Sequence, residues 1–108
     1  MSPWLYLATA ILFEVAGTFS MRISEGFTKL VPSTLVFVFY TVSFIAMAFA
    51  IKRIDLGVSY AIWSATGTAL IATIGIIYFN EPLTGLKILS LLLIILGVIG
   101  LNLGPTEH

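Results

Sequence analysis

Four long apolar runs, separated by only a few polar residues each, constrain this chain more than any other feature. They cover residues 4–21, 33–51, 57–79 and 87–103. Each is about 17 to 23 residues long, the length that an α-helix needs to cross the hydrocarbon core of a bilayer. We therefore expect an all-α membrane protein, with one four-helix transmembrane domain over residues 1–108. Because no positive residue precedes the first run, we expect it to be retained and not cleaved as a signal peptide.

Composition supports a membrane protein and excludes several other classes. The 108 residues are 59% hydrophobic and only 9% charged, whereas about a quarter of the residues in a soluble domain are charged. There is no cysteine, and the single histidine is His108, so thiol or histidine catalysis and a cysteine metal site are excluded. The formal net charge is zero, without a basic stretch that would indicate nucleic acid. We expect neither an enzyme nor a bound metal or cofactor.

Positive residues give almost no preference for one orientation in the membrane. With four spans, Lys52 and Arg53 lie on one side, and Arg22, Lys29 and Lys87 lie on the other. Two interpretations follow from the positive-inside rule. Either an excess of one charge is enough to orient the chain, or the chain inserts both ways and pairs as an antiparallel, dual-topology homodimer.

The fourth run offers a surface for such pairing. Ser90 and Gly97 are seven residues apart on one helical face, and Gly100 and Gly104 lie near it. Small residues let helices approach closely in lipid, so this face is a candidate dimer contact. Four helices alone are also too few to enclose a solute-sized cavity. The alternative is that these small residues pack only within one subunit.

A single acid, Glu14, lies within the first run, roughly 15 Å along a helix that starts at Trp4 and therefore near the bilayer midplane. Acids at this depth usually have a function; the alternative is a structural glutamate, protonated and bonded to another helix. Loss of water favours the protonated form of a carboxyl group, so the group can hold a proton and release it when a cation arrives. Thr18, one turn on, can donate a hydrogen bond to it. Its neighbours at helical spacing are mostly small, which predicts open volume in front of the carboxylate: Leu7, Ala10, Ile11, Gly17 and Thr18.

Aromatic residues offer the second half of a cation site. Tyr60 and Trp63 share one face of the third run, and ring faces attract ammonium groups by about 2 kcal/mol or more when desolvated. The alternative is that these rings serve only packing. A comparable face on the second run contains Tyr40, Ser43, Phe44 and Met47.

Three strings carry a resemblance over essentially the whole chain: "FEVAGT" around Glu14, "SEGFTKLVPS" at 24–33 and "YAIWS" at 60–64. They resemble the small multidrug resistance family of proton-coupled exporters. The resemblance implies an antiparallel homodimer in the bacterial inner membrane, with both Glu14 side chains facing one central site, where protons exchange for cations by alternating access. The positions that match the residues of that site are Leu7, Ala10, Ile11, Gly17, Thr18, Tyr40, Ser43, Tyr60 and Trp63.

Gly17 is the main indication of which branch of the family the chain resembles, because the guanidinium exporters carry a tryptophan at the matching position. A small residue resembles the branch that exports aromatic and quaternary ammonium cations, and we expect that function. Two features favour the alternatives of a guanidinium exporter or one subunit of a heterodimeric pair: Phe13, and "NEPLT" at 80–84. Ala65 also departs from the glycine that often follows "YAIWS". A further alternative is a small assembly or regulatory subunit in which Glu14 is structural.

Overall fold

The computed structural model describes residues 2–103 and contains four antiparallel helices joined by short turns. They are α1 (Pro3–Ile23), α2 (Leu30–Ala50), α3 (Leu56–Tyr78) and α4 (Gly85–Leu103). All four are long and apolar enough to cross a membrane, and residues 2–103 contain no strand. The predicted all-α, four-span architecture is therefore confirmed.

Two helices, α2 and α4, begin two or three residues earlier than the predicted runs. α2 begins at Leu30 instead of Ser33, with Pro32 inside its first turn. Proline is tolerated there because a first-turn amide has no partner within the helix. α4 begins at Gly85 instead of Lys87, since the Thr84 hydroxyl accepts a hydrogen bond from the Lys87 amide at 3.1 Å and so caps the helix.

A tight turn over residues 24–29 folds α2 back onto α1. Glu25, Gly26 and Phe27 have left-handed φ angles of 50°, 72° and 66°, a conformation that costs little only for glycine. The buried Ser24 holds the turn, because its hydroxyl donates to the Met21 carbonyl at 2.7 Å and accepts from the Phe27 amide at 3.0 Å. The turn therefore places α2 directly beside α1.

The core of the subunit lies along α1. Leu7, Ile11 and Val15, spaced four residues apart, form a buried cluster with Ala50 and Ile54. α1 packs against both α2 and α3, whereas α4 packs chiefly on α3 and has no buried residue within its described range. The fold therefore has a packed three-helix part and one helix whose surface is largely uncovered.

Leu7 and Leu5 provide a matched test of this core, since Leu7 is 2% exposed and Leu5 is 56% exposed. We expect Leu7→Ala to destabilise the subunit by about 1–2 kcal/mol. Lipid is as apolar as a leucine side chain, so the loss of transfer free energy is small and the cost of the cavity left by the truncation remains. Leu5→Ala is expected to have almost no effect. Unfolding of the detergent-purified variants, followed by circular dichroism, measures both; equal losses would contradict the assignment of the core.

Candidate functional site

Glu14 lies in the middle of α1, is half-buried, and takes part in a chain of hydrogen bonds that joins α1 to α2. The Thr18 hydroxyl donates to Glu14 Oε1 at 2.9 Å, as the spacing along the helix predicted, and lies 2.7 Å from the Tyr40 hydroxyl. Since a threonine hydroxyl has a single hydrogen, Tyr40 is the donor to Thr18 when Thr18 donates to Glu14. Oε1 of Glu14 is therefore held by two hydroxyl groups in series.

Tyr40 reaches this position because Gly17 has no side chain. A Cβ atom at Gly17 would lie 2.6 Å from both Cδ1 and Cε1 of Tyr40, which is closer than two non-bonded carbon atoms can approach. The expectation that small neighbours leave open volume in front of Glu14 is thus wrong at Gly17, where the space is filled by an aromatic ring from α2.

Three other predicted neighbours of Glu14 also lie in packed surroundings. Leu7, Ala10 and Ile11 are buried, at 2%, 0% and 7% exposure. Ser43 is fully buried, and its hydroxyl donates to the Ala10 carbonyl at 2.6 Å. These four residues position α1 against α2 and α3, and the structure does not bring them to an open surface beside the carboxylate.

The open side of Glu14 faces α3. Gly67 is buried there, and a Cβ atom on it would lie 3.2 Å from Glu14 Oε2, so the carboxylate approaches the backbone of α3 closely. A cavity of about 480 Å³ extends from this point along α3. Its lining residues are Glu14, Thr18, Tyr60, Trp63, Ser64, Gly67, Thr68, Ile71 and Ala72.

Two of the predicted aromatic residues form part of that wall. Tyr60 and Trp63 meet edge to face, with ring centroids 5.4 Å apart and an angle of 66° between the rings. Trp63 Nε1 is buried and has no hydrogen-bond partner among the described residues. A buried donor without a partner is rare in folded proteins. The indole N–H of Trp63 can therefore donate a hydrogen bond at the edge of the cavity.

The remaining predicted residues lie outside the cavity lining. Phe44 stacks on Tyr40, with centroids 6.0 Å apart, and Met47 packs against the core cluster. On α4, Ser90 and Gly97 are exposed, and no atom lies within 4 Å of a Cβ placed on Gly97. Gly97 therefore does not pack within the subunit, while Gly104 lies outside the described residues.

Sequence reasoning missed five of the lining residues, all on α3. Counted from Tyr60, they follow at four, seven, eight, eleven and twelve residues, which is the spacing of one helical face. Extending the face of Tyr60 and Trp63 along the run would have found them. They are Ser64, Gly67, Thr68, Ile71 and Ala72.

The charges of the site restrict what it can bind. Within residues 2–103, Glu14 is the only acid that lies inside a helix, and no cluster of histidine, cysteine or acidic residues there could hold a metal ion. The arrangement therefore presents one carboxylate to an aromatic-walled cavity, and such a carboxylate can take either a proton or an organic cation.

A family model described as Small Multidrug Resistance protein matches residues 2–94. The chain belongs to the small multidrug resistance family. Members of this family are membrane transporters, and family membership together with the four apolar helices places the protein in the bacterial cell membrane as a multi-pass protein.

Individual members of the family are similar over nearly the full chain. The uncharacterized membrane protein YvaE of Bacillus subtilis is 49% identical, over 97% of this chain and 87% of its own length. The quaternary ammonium compound-resistance protein QacE of Escherichia coli is 39% identical, and the multidrug transporter EmrE of Escherichia coli K12 is 42% identical. Each of these two matches covers 95% of this chain and 94% of the relative.

Gly17 and Gly57 give a matched test of the Tyr40 contact, since nothing lies within 4 Å of a Cβ placed on Gly57. Alanine is favoured over glycine in a helix by about 1 kcal/mol, so Gly57→Ala is expected to be neutral or slightly stabilising. Gly17→Ala is expected to be destabilising relative to Gly57→Ala, because the new methyl group displaces the Tyr40 ring and breaks its bond to Thr18. Thermal unfolding of the two variants measures the difference; equal stability would show that the ring is not held on α1.

Proposed function

We propose that this protein is a proton-coupled antiporter that exports hydrophobic, aromatic or quaternary ammonium cations. A proton and the cation compete for Glu14. One observation carries the proposal: the only acid inside a helix of residues 2–103 faces an aromatic-walled cavity of about 480 Å³. That volume lies within the roughly 300–1,000 Å³ typical of small-molecule sites.

The cavity suits a cation whose charge is buried in apolar groups. Glu14 supplies the opposite charge, while Tyr60 and Trp63 supply ring surface, which attracts a desolvated cation by about 2 kcal/mol or more. An ammonium group without N–H donors loses no hydrogen bonds in such surroundings, so the loss of water costs it less than it costs a primary amine. The names of the relatives agree with this class, because one denotes quaternary ammonium resistance and another multidrug transport.

Competition between proton and cation couples the two fluxes. A site open to the more acidic side takes a proton and releases its cation, whereas a site open to the other side loses the proton and binds a new cation. Each ligand shifts the balance between the two open states only through its different affinity for them. Export then follows from the proton gradient.

A second, antiparallel copy of the chain completes the site in this proposal. The support is the uncovered surface of α4, the unpacked Gly97 on that surface, and the near balance of positive residues between the two membrane faces. In this proposal both Glu14 side chains face one shared site, so the proton and the cation compete for the two carboxylates together. Exchange of roles between the two copies would make the two open states equal in energy.

A pH titration of tetraphenylphosphonium binding to the purified protein tests the competition. We expect wild-type affinity to fall as the pH falls, because protons displace the cation from Glu14. Glu14→Gln should lose this pH dependence and weaken binding by about tenfold or more, while insertion and dimer formation persist. Glu25→Gln, in the exposed turn between α1 and α2, is the matched control and should bind like the wild type.

Three outcomes would contradict the proposal. Active transport of a lipophilic cation by Glu14→Gln against its gradient would remove the coupling role of Glu14. Strong displacement of tetraphenylphosphonium by guanidinium would favour a guanidinium exporter, and a lack of transport by this chain alone would favour a heterodimeric pair.

Trp63 is expected to select cations by their aromatic surface. Trp63→Ala should weaken tetraphenylphosphonium binding by about tenfold or more and tetramethylammonium binding much less, since the small cation has little surface to contact the ring. Trp63→Phe keeps a ring and should lose less affinity for both cations. Calorimetry on the two variants gives the ratio; an equal loss for both cations would exclude a stacking role.

A further inference from the structure

A second acid, Glu81, lies where α1 and α3 end on the same face of the membrane, and it contacts both helices. After α3 ends at Tyr78, Asn80 takes a left-handed φ of 57°, and the chain folds back so that the Glu81 amide donates to the Gly75 carbonyl at 3.0 Å. The Glu81 side chain then lies against α3, where a Cβ atom on Gly75 would be only 2.9 Å from its Cδ. Because Gly75 has no side chain, the Glu81 carboxylate can occupy this space.

The end of α1 meets the same group of residues. Arg22 Nη1 lies 3.9 Å from Glu81 Oε2, and its guanidinium lies 4.8 Å from the centroid of the Phe79 ring. Phe19 packs on Tyr78 and Phe79, with ring centroids 5.1 Å and 5.6 Å apart. We call these five side chains the α1–α3 clasp: Phe19, Arg22, Tyr78, Phe79 and Glu81.

The clasp lies two helical turns from the Glu14 site. Gly67 and Gly75 are eight residues apart on α3, roughly 12 Å along the helix, and each is approached by one carboxylate, Glu14 at the first and Glu81 at the second. Glu81 also lines a cavity of about 350 Å³ between α3 and α4. That cavity shares Thr68 and Ala72 with the Glu14 cavity, so the two cavities are neighbours along α3.

We propose that the α1–α3 clasp is a gate that closes one end of the Glu14 cavity. It holds the ends of α1 and α3 together, and it opens when a cation enters or leaves on that face of the membrane. The inference rests on the proposed transport function, since it assigns a closing contact to that cavity. Arg22 and Glu81 have side chains that are 62% and 43% exposed, and an exposed ion pair is weak. A weak contact suits a gate, because it has to break in every cycle.

The absence of cysteine from the sequence gives a direct test. A cysteine introduced by Ala72→Cys would be the only thiol, and it lines both cavities close to Gly75. We expect a bulky, charged maleimide to label it slowly in detergent-purified protein. Adding Glu81→Gln should raise the labelling rate about two- to fivefold, the range that the loss of an exposed ion pair allows. Exchanging the two charges, by Arg22→Glu together with Glu81→Arg, should return the rate towards the starting value.

Two further variants separate the gate from a general effect of charge or folding. Glu25→Gln removes an acid at the same membrane face, where Glu25 pairs with Lys29 at 3.7 Å within the turn between α1 and α2, and it should leave labelling unchanged. Gly75→Ala should act like Glu81→Gln, because its methyl group displaces the Glu81 side chain. Circular dichroism confirms that each variant retains its helices.

Tetraphenylphosphonium binding, measured on the same samples, distinguishes failure of the gate from failure of the proposed function. A gate variant should keep the wild-type affinity within about twofold, since Glu81 does not line the Glu14 cavity. Equal labelling rates in Glu81→Gln, Glu25→Gln and the reporter alone would overturn the gate, as would a failure of the charge exchange to restore the rate. Cation binding independent of Glu14 would overturn the transport proposal instead.

Discussion

The structure depends on how a carboxylate inside a bilayer obtains hydrogen bonds. Among the described residues 2–103, the hydrogen bond to Glu14 comes from one side, where Thr18 donates to Oε1 and Tyr40 supports Thr18. That support exists because Gly17 lets the ring of Tyr40 lie on the backbone of α1. The second oxygen, Oε2, faces Gly67 and the cavity along α3. The α1–α2 pair thus fixes the acid in place, and α3 leaves the acid open to a ligand.

The uneven packing of the four helices follows from the bilayer as solvent. Lipid tails are as apolar as leucine side chains, so burial of an apolar surface between helices gains little. α1 is packed because it brings small residues such as Ala10 and Gly17 to its neighbours and joins α2 through the hydroxyl contact between Thr18 and Tyr40. α4 is made almost entirely of large aliphatic residues and buries none of them. Its small residues, such as Gly97, remain available for a contact outside the subunit.

Hydropathy was sufficient to predict the four helices, and helical spacing was sufficient to predict the bond from Thr18 to Glu14. Spacing failed at Gly17 because it defines the face of one helix without showing which side chain a neighbouring helix inserts there. The lining of α3 was within reach, since Ser64, Gly67 and Ile71 continue the face of Tyr60. The contact of the Glu81 side chain with Gly75 could not be predicted in this way, because it depends on the left-handed backbone conformation of Asn80.

The hydroxyl chain beside Glu14 is suited to both protonation states that the proposed mechanism uses. With the carboxylate ionised, Tyr40 donates to Thr18 and Thr18 donates to Glu14. With the carboxyl group protonated, the acid can donate to Thr18, which then donates to Tyr40, because each hydroxyl group both donates and accepts. Only the hydroxyl hydrogens rotate, and no helix has to move. In the proposed mechanism, proton exchange at Glu14 would therefore be separable from the movement that opens the site, and contacts at the helix ends such as the α1–α3 clasp would control that movement.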